Sequence, residues 1–194
     1  MNDFTVRQKQ IIQQSIQLIA DKGIQGLTIK NISKSIGISE PAIYRHFENK
    51  NDIILGIIST MQSAHDDDEN DSVIEANETI GKIKSMFLRH TNRFVKNPSL
   101  TAIVFSEEIF NNNSILAKPI RMMMKLNQNK LISMIEKGQA GGEIRVDINA
   151  EQISLMVIGS FRFLVSKWHI MNFDFDLKKD VDEMLNAIET VLKT

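Results

Sequence analysis

Residues 27–54 read LTIKNISKSIGISEPAIYRHFENKNDII, and two short apolar repeats separated by one glycine decide how this segment folds. Ile29, Ile32 and Ile36 fall at helical spacing behind Thr28, whose hydroxyl can cap free backbone N–H groups, so a short helix is expected from Thr28 up to Gly37. Ile38-Ser39 leads into another, with Ser39 as a cap candidate and Pro41 early, where its missing N–H is harmless. Its body is Ala42-Ile43-Tyr44-Arg45-His46. Ile32, Ile36, Ile38, Ile43 and Phe47 can lock the two helices at an angle, which leaves the outer face of residues 39–46 free. On that face Tyr44, Arg45 and His46 can donate hydrogen bonds to phosphates or base edges, the pattern of a helix-turn-helix reading a DNA major groove.

Outward toward the N-terminus, Ile12, Ile16 and Ile19, widened by Ile11 and Leu18, predict an amphipathic supporting helix from Phe4 to about Lys22, stopped by Gly23. The first 50 residues hold 7 Lys+Arg against 4 Asp+Glu, whereas the other 144 hold 16 against 20. A basic head on an acidic body implies that any polyanion is met by the head. Cysteine is absent from all 194 residues, which excludes disulfides, thiolate metal sites and a Cys nucleophile. With only 9 Gly and 3 Pro, turn punctuation is too sparse for an all-β fold. The opening MNDFTVRQKQ lacks the pattern of an export signal, and no apolar run is read as approaching the roughly 18 residues of a membrane span, so a cytoplasmic protein is expected.

The quoted stretch resembles the signature of TetR-family transcriptional repressors: Thr opening one helix, Ile-Gly-Ile-Ser at the turn, Tyr-x-His-Phe closing the next and a Lys shortly after. The likeness is strong over about residues 5–60; beyond, helical character and length agree. Ser33 and Ser35 stand where the family usually has Ala, and Glu40-Pro41 replaces a commoner small-residue pair, departures that bear on the operator sequence rather than on the fold. The resemblance implies that Thr28, Tyr44, His46 and Lys50 contact phosphates, with Ser39, Glu40, Pro41, Ala42 and Arg45 nearer the bases.

Farther on, Ile53, Ile54, Ile57, Ile58 and Met61 predict a connecting helix from Asn49-Lys50 to about His65. The acidic run from His65 to Asp71 reads as a solvated linker; the alternative, a cation site on His65, Asp66 and Asp68, lacks the glycine and loop geometry of a calcium hand. Further helices are expected over 73–96, 99–110 and 115–140. Gly138, Gly141 and Gly142 follow a helix rather than a strand and have no Gly-Lys-Ser/Thr, so they read as a helix stop and not a phosphate loop. No catalytic motif and no cofactor signature appears. Between head and C-terminal helices, Met61, Phe87, Phe94, Phe105, Phe110 and Met122–Met124 supply apolar surface, with His90 as a polar anchor. There the resemblance implies a ligand cavity, and Met123 with the phenylalanines implies a predominantly apolar effector with one polar end.

From Ala150 to Ile170, Ile153, Val157, Phe161, Leu164 and Trp168 form one stripe and Met156, Gly159, Phe163 and Ile170 another, so one is expected to meet the core and the other a partner. Val181, Leu185, Ile188 and Leu192 repeat at 4, 3 and 4 on the last helix, and two such hairpins make a four-helix bundle about a two-fold axis. The reading is therefore an all-α protein: a helix-turn-helix DNA-binding domain over 1–48, and a helical ligand-binding and dimerisation domain over 49–194. Its expected function is that of a ligand-responsive repressor binding a palindromic operator on double-stranded DNA as a homodimer, and not an enzyme. The alternative is a helical lipid- or small-molecule-binding module, or an enzyme, without DNA binding; salt-sensitive retention on DNA separates the two.

Overall fold

The N-terminal helices begin and end on local devices. The computed structural model describes residues 4–70, 78–105 and 114–193, the side chains of 61–70 and 114 excepted. Helix α1 (Val6–Lys22) opens on a capping box: Thr5 accepts from the Gln8 amide while the Gln8 side chain accepts from the Thr5 amide. A 3-10 turn (Ile24–Gly26) leads to α2 (Ile29–Ile36), α3 (Glu40–Tyr44) and α4 (Lys50–Asn70). Then come α5 (Thr79–Lys96), α6 (Leu100–Val104), α7 (Ser114–Ala140), α8 (Ala150–Ile170) and α9 (Leu177–Leu192), and no strand occurs among the described residues.

Two expected boundaries need correcting. Helix α3 spans five residues, not 39–46, because the chain tightens after Tyr44, where the His46 amide bonds the Ile43 carbonyl at 2.9 Å. Helix α4 runs on through the stretch read as a linker and ends at Asn70. The cation-site alternative on His65, Asp66 and Asp68 lies outside the described side chains, as does the expected helix beyond Phe105.

Two compact units emerge, one formed by residues up to 70 with 99–123, the other by 71–98 with 124 onward. In the first, isoleucine fills the core: Ile11, Ile12, Ile16 and Ile19 of α1 pack with Ile32, Ile43, Phe47 and with Ile53, Ile54, Ile57 and Ile58 of α4. β-Branched side chains are held to one strongly preferred χ1 rotamer in a helix, so they stiffen this core. Gly56 permits close approach there, since a Cβ on it would stand 3.1 Å from Cδ1 of Ile12. Ile103 and Leu116 join the same core, and Ser99 donates to the Gln17 side chain at 3.2 Å.

In the second unit, Ile80, Ile83 and Phe87 of α5 are buried, as are Ile153, Val157, Val165 and Trp168 of α8 and Val181, Leu185 and Leu192 of α9. A carboxylate distant in sequence caps α5, with Glu143 accepting from the Thr79 amide at 2.6 Å. The chain turns after α7 at Gly142, whose φ of 75° is left-handed, as the helix-stop reading of these glycines expects. The turn after α8 carries Asn172 and Phe173 at φ 51° and 65°. Such backbone is strained for a Phe, and contacts hold it: the Phe173 amide bonds the Trp168 carbonyl at 2.8 Å and its ring meets the Trp168 ring edge-on at 4.6 Å. Helix α8 is long and apolar enough by length and composition to cross a membrane, which corrects the expectation of no such run. Its two apolar stripes account for that composition: one lies in the core of this unit and the other is exposed.

Candidate functional site

The turn between α2 and α3 is built from backbone. Gly37 adopts φ 75°, and the amides of Gly37 and Ile38 both bond the Ser33 carbonyl, at 2.9 and 3.0 Å. Ser33 and Ser35 spend their hydroxyls on the carbonyls of Lys30 and Ile32, both at 2.9 Å, so they serve α2 itself. Fully buried Ile32 and Ile43 pin the two helices on one side. On the other side Ser39, Glu40, Pro41, Tyr44 and Arg45 are exposed, while Ala42 and His46 are half-buried. Tyr44 leaves 51% of its surface to solvent, which an aromatic ring does at the expense of apolar burial.

Thr28 accepts from the Asn31 amide at 3.1 Å as the cap of α2, leaving its O–H available to donate outward. Lys50 is exposed at the first position of α4, where Asn49 accepts from the Asp52 amide at 3.1 Å. Sequence reasoning missed that cap, although Asn three residues before Asp carries its signal. It also missed Gln8, which donates to the His46 carbonyl at 3.2 Å and so ties α1 to the end of α3. Thr28, Tyr44, Arg45 and Lys50 are all exposed on a unit whose helices share one core, and such side chains suit a phosphate backbone and a groove. Among the described residues, no group of three or more His, Asp and Glu is placed to hold a metal ion.

The effector candidates divide. In the second unit Phe87, His90 and Phe94 come together around Phe161, with ring centres at 5.0 Å from Phe87 and 6.5 Å from both His90 and Phe94. Sequence reading placed Phe161 only on the core stripe of α8; no local spacing ties it to α5, so this meeting shows only in the structure. Phe105 and Met123 belong to the first unit and are half-buried, and Met122 and Met124 are exposed. Met61, by its side chain, and Phe110 lie outside the described residues.

On α8, Met156, Phe163 and Ile170 are exposed beside Leu155, with 70% of Phe163 and 72% of Ile170 open to solvent. On α9 the expectation needs correcting: Val181, Leu185 and Leu192 are buried in their own unit and Ile188 is half-buried, so three of them cannot face a partner. The outward line is Ala187 and Val191, with half-buried Met184 a turn before them. The larger apolar stripe goes to the protomer's own core because that removes more area from water. Ser160, Phe163 and Leu164 of α8 with Asp180, Glu183 and Met184 of α9 border an open groove of about 360 Å³.

A helix-turn-helix with its polar and aromatic face exposed, ahead of a second all-α unit, defines a protein built to read double-stranded DNA. The chain belongs to the tetR family of bacterial regulatory proteins, matching that family over residues 11–57 and the C-terminal region of YsiA-like proteins over 61–190. It is a DNA-binding transcriptional regulator. Among its relatives, the fatty acid metabolism regulator protein of Bacillus subtilis (strain 168) is 25% identical over 183 residues, 94% of this chain and 92% of that protein. The structure of the fatty acid degradation regulator FadR from Bacillus halodurans shares the fold with a TM-score of 0.82 at 21% identity, over 96% of each chain. That of the transcriptional regulator FadR from Bacillus subtilis, solved in complex with stearoyl-CoA, does so at 0.76 and 22% identity, over 93% of this chain and 96% of the other.

Proposed function

We propose that this chain is a cytoplasmic repressor that binds a near-palindromic operator as a homodimer and is released from it by a long-chain acyl-CoA, with no catalytic activity of its own. The observation that carries the reading is the exposed face of α3 and its flanks on a chain similar, over nearly its whole length, to a fatty acid metabolism regulator. Residues 1–48 serve as the DNA-binding domain and 49–194 as the ligand-binding and dimerisation domain. Thr28, Tyr44, His46 and Lys50 contact phosphates, while Ser39, Glu40, Pro41, Ala42 and Arg45 lie toward the bases.

The exposed lines of α8 and α9 pair about a two-fold axis, which sets two copies of α3 in successive major grooves roughly 34 Å apart. Phe87 and Phe94, gathered around Phe161 in the second unit, supply apolar surface for the acyl chain, and His90 a polar contact. The effector acts by preferring a dimer whose α3 separation no longer matches the grooves, a shift between two populations. The test is selection of an operator from random duplexes, followed by titration of the complex with acyl-CoAs of increasing chain length. Release by long chains at concentrations where short chains have no effect is expected; operator binding indifferent to every acyl-CoA sinks the effector assignment.

A further inference from the structure

The two polar atoms of the Gln8 side chain do separate things. Its oxygen accepts from the Thr5 amide at 3.0 Å, which closes the capping box at the start of α1. Its nitrogen donates to the His46 carbonyl at 3.2 Å, across 38 residues of chain. A capping box asks only for an acceptor at this position, and a carboxylate supplies one as well as an amide does. The Gln8 NH2 group is therefore not needed to start the helix, and it is spent on the backbone just past α3.

That backbone has few supports of its own. Helix α3 spans five residues and closes on a tight turn, where the amides of His46 and Phe47 both bond the Ile43 carbonyl, at 2.9 and 3.1 Å. Phe47 is buried in the core, so its ring fixes the far side of the turn. Tyr44 and Arg45 are exposed and His46 is half-buried. Rotation of the peptide between His46 and Phe47, whose carbonyl Gln8 holds, swings Arg45 and His46 against that anchored ring. Gln8 is itself half-buried, which lessens the competition of water for its hydrogen bond.

We propose that Gln8 is a positioning residue for operator reading: by holding the His46 carbonyl it sets where Tyr44, Arg45 and His46 stand on the DNA. This rests on the assignment of the α3 face to DNA above. Hydrogen bonds to base edges need direction, whereas charge attraction to phosphates falls off gently with distance. A loosened turn thus loses selectivity before it loses affinity.

The experiment compares full-length wild type, Gln8→Glu and Gln13→Glu for binding to an operator selected with the wild type and to an unrelated duplex of the same length. Gln8→Glu keeps the acceptor of the capping box and removes only the donor to His46. Its new charge repels every duplex alike, and Gln13→Glu, exposed on the same helix, supplies that effect alone. In Gln8→Glu the ratio of operator to unrelated-duplex affinity is expected to fall about five- to tenfold, as the loss of one hydrogen bond predicts. Its melting temperature should move by no more than about 4 °C. Gln13→Glu should keep the wild-type ratio. On an Arg45→Ala/His46→Ala background the Gln8→Glu effect should shrink, because it acts through those side chains. An unchanged ratio in Gln8→Glu overturns the inference, as does an equal fall in Gln13→Glu, which marks charge. A larger drop in melting temperature overturns it by marking a folding role, and so does an effect of full size on the double-alanine background. A wild type that prefers no duplex removes the DNA assignment of this face, whereas a selective wild type with an equally selective Gln8→Glu removes this inference alone.

Discussion

At the residue scale, the proposed DNA contact gives exposed Tyr44 and Lys50 different work. Tyr44 stands on α3 with half its surface open, where its hydroxyl is free to reach a phosphate in the proposed complex. Tyr44→Ala is expected to weaken specific operator binding by about 1–3 kcal/mol. Lys50→Ala should weaken binding to all sequences about equally and lower the log–log salt slope by about 0.9, both read from fluorescence anisotropy titrations at several salt concentrations. Wild-type affinity in both variants contradicts the assignment of this face. Away from it, hydrogen bonds from Lys193 and then Lys84 pull the Glu189 carboxyl from its ordinary 4.5 down to about 2. A depressed carboxylate pKa contributes stability that is present above the unfolded-state value and fades as pH falls through the folded one. Urea midpoints of wild type and Glu189→Gln should therefore differ at neutral pH and converge between about 4.5 and about 2. A gap that widens on acidification contradicts the ion-pair account.

At the scale of elements, close packing rather than helix propensity governs the end of α7. A Cβ on Gly138 would stand 2.6 Å from Cδ1 and 2.9 Å from Cγ1 of Ile144, which is fully buried and has no open space to turn into. Alanine is the better helix former by about 1 kcal/mol, yet overpacking of this kind costs about 1–3 kcal/mol. Gly138→Ala should accordingly destabilise the protein in thermal or urea unfolding, and Ile144→Val added to it should recover part of the loss. Stabilisation by the single variant would falsify the packing account. Such a residue is not legible in sequence, because Ile144 follows a turn whose direction depends on Glu143 reaching the start of α5.

At the scale of the whole molecule, the proposed homodimer assembles on the exposed line of α8. Among the described residues, nothing beyond its own stretch of helix lies within 4 Å of a Cβ placed on Gly159, one turn from exposed Met156 and Phe163. In a monomer Gly159→Ala should stabilise the helix by about 1 kcal/mol. In the proposed dimer, with Gly159 at the paired surface, the same change should weaken association. Light scattering of the wild type is expected to give about twice 22.1 kDa, and Phe163→Asp should return it to the monomer mass with loss of operator binding. A wild type of monomer mass at micromolar concentration removes the homodimer and its two-fold operator together.

Sequence by itself determined what depends on near neighbours. Thr28, Gly37 and the spacing of Ile29, Ile32 and Ile36 specify α2 and its stop through bonds within a few residues, so the helix-turn-helix was legible, as was the span of α8. Periodicity also showed that α8 has two apolar sides and α9 a repeating stripe. Direction was beyond it. A 4, 3, 4 spacing fits Val181, Leu185, Ile188 and Leu192 as well whether they face their own core or a partner, and only the packing of α9 in its unit turned Val181, Leu185 and Leu192 inward. The meeting of Phe87 with Phe161, the capping of α5 by Glu143 and the tie from Gln8 to His46 likewise awaited tertiary structure. Each joins residues far apart along the chain, and such pairs are chosen by which arrangement buries the most apolar area with its polar groups satisfied, a property of the folded whole.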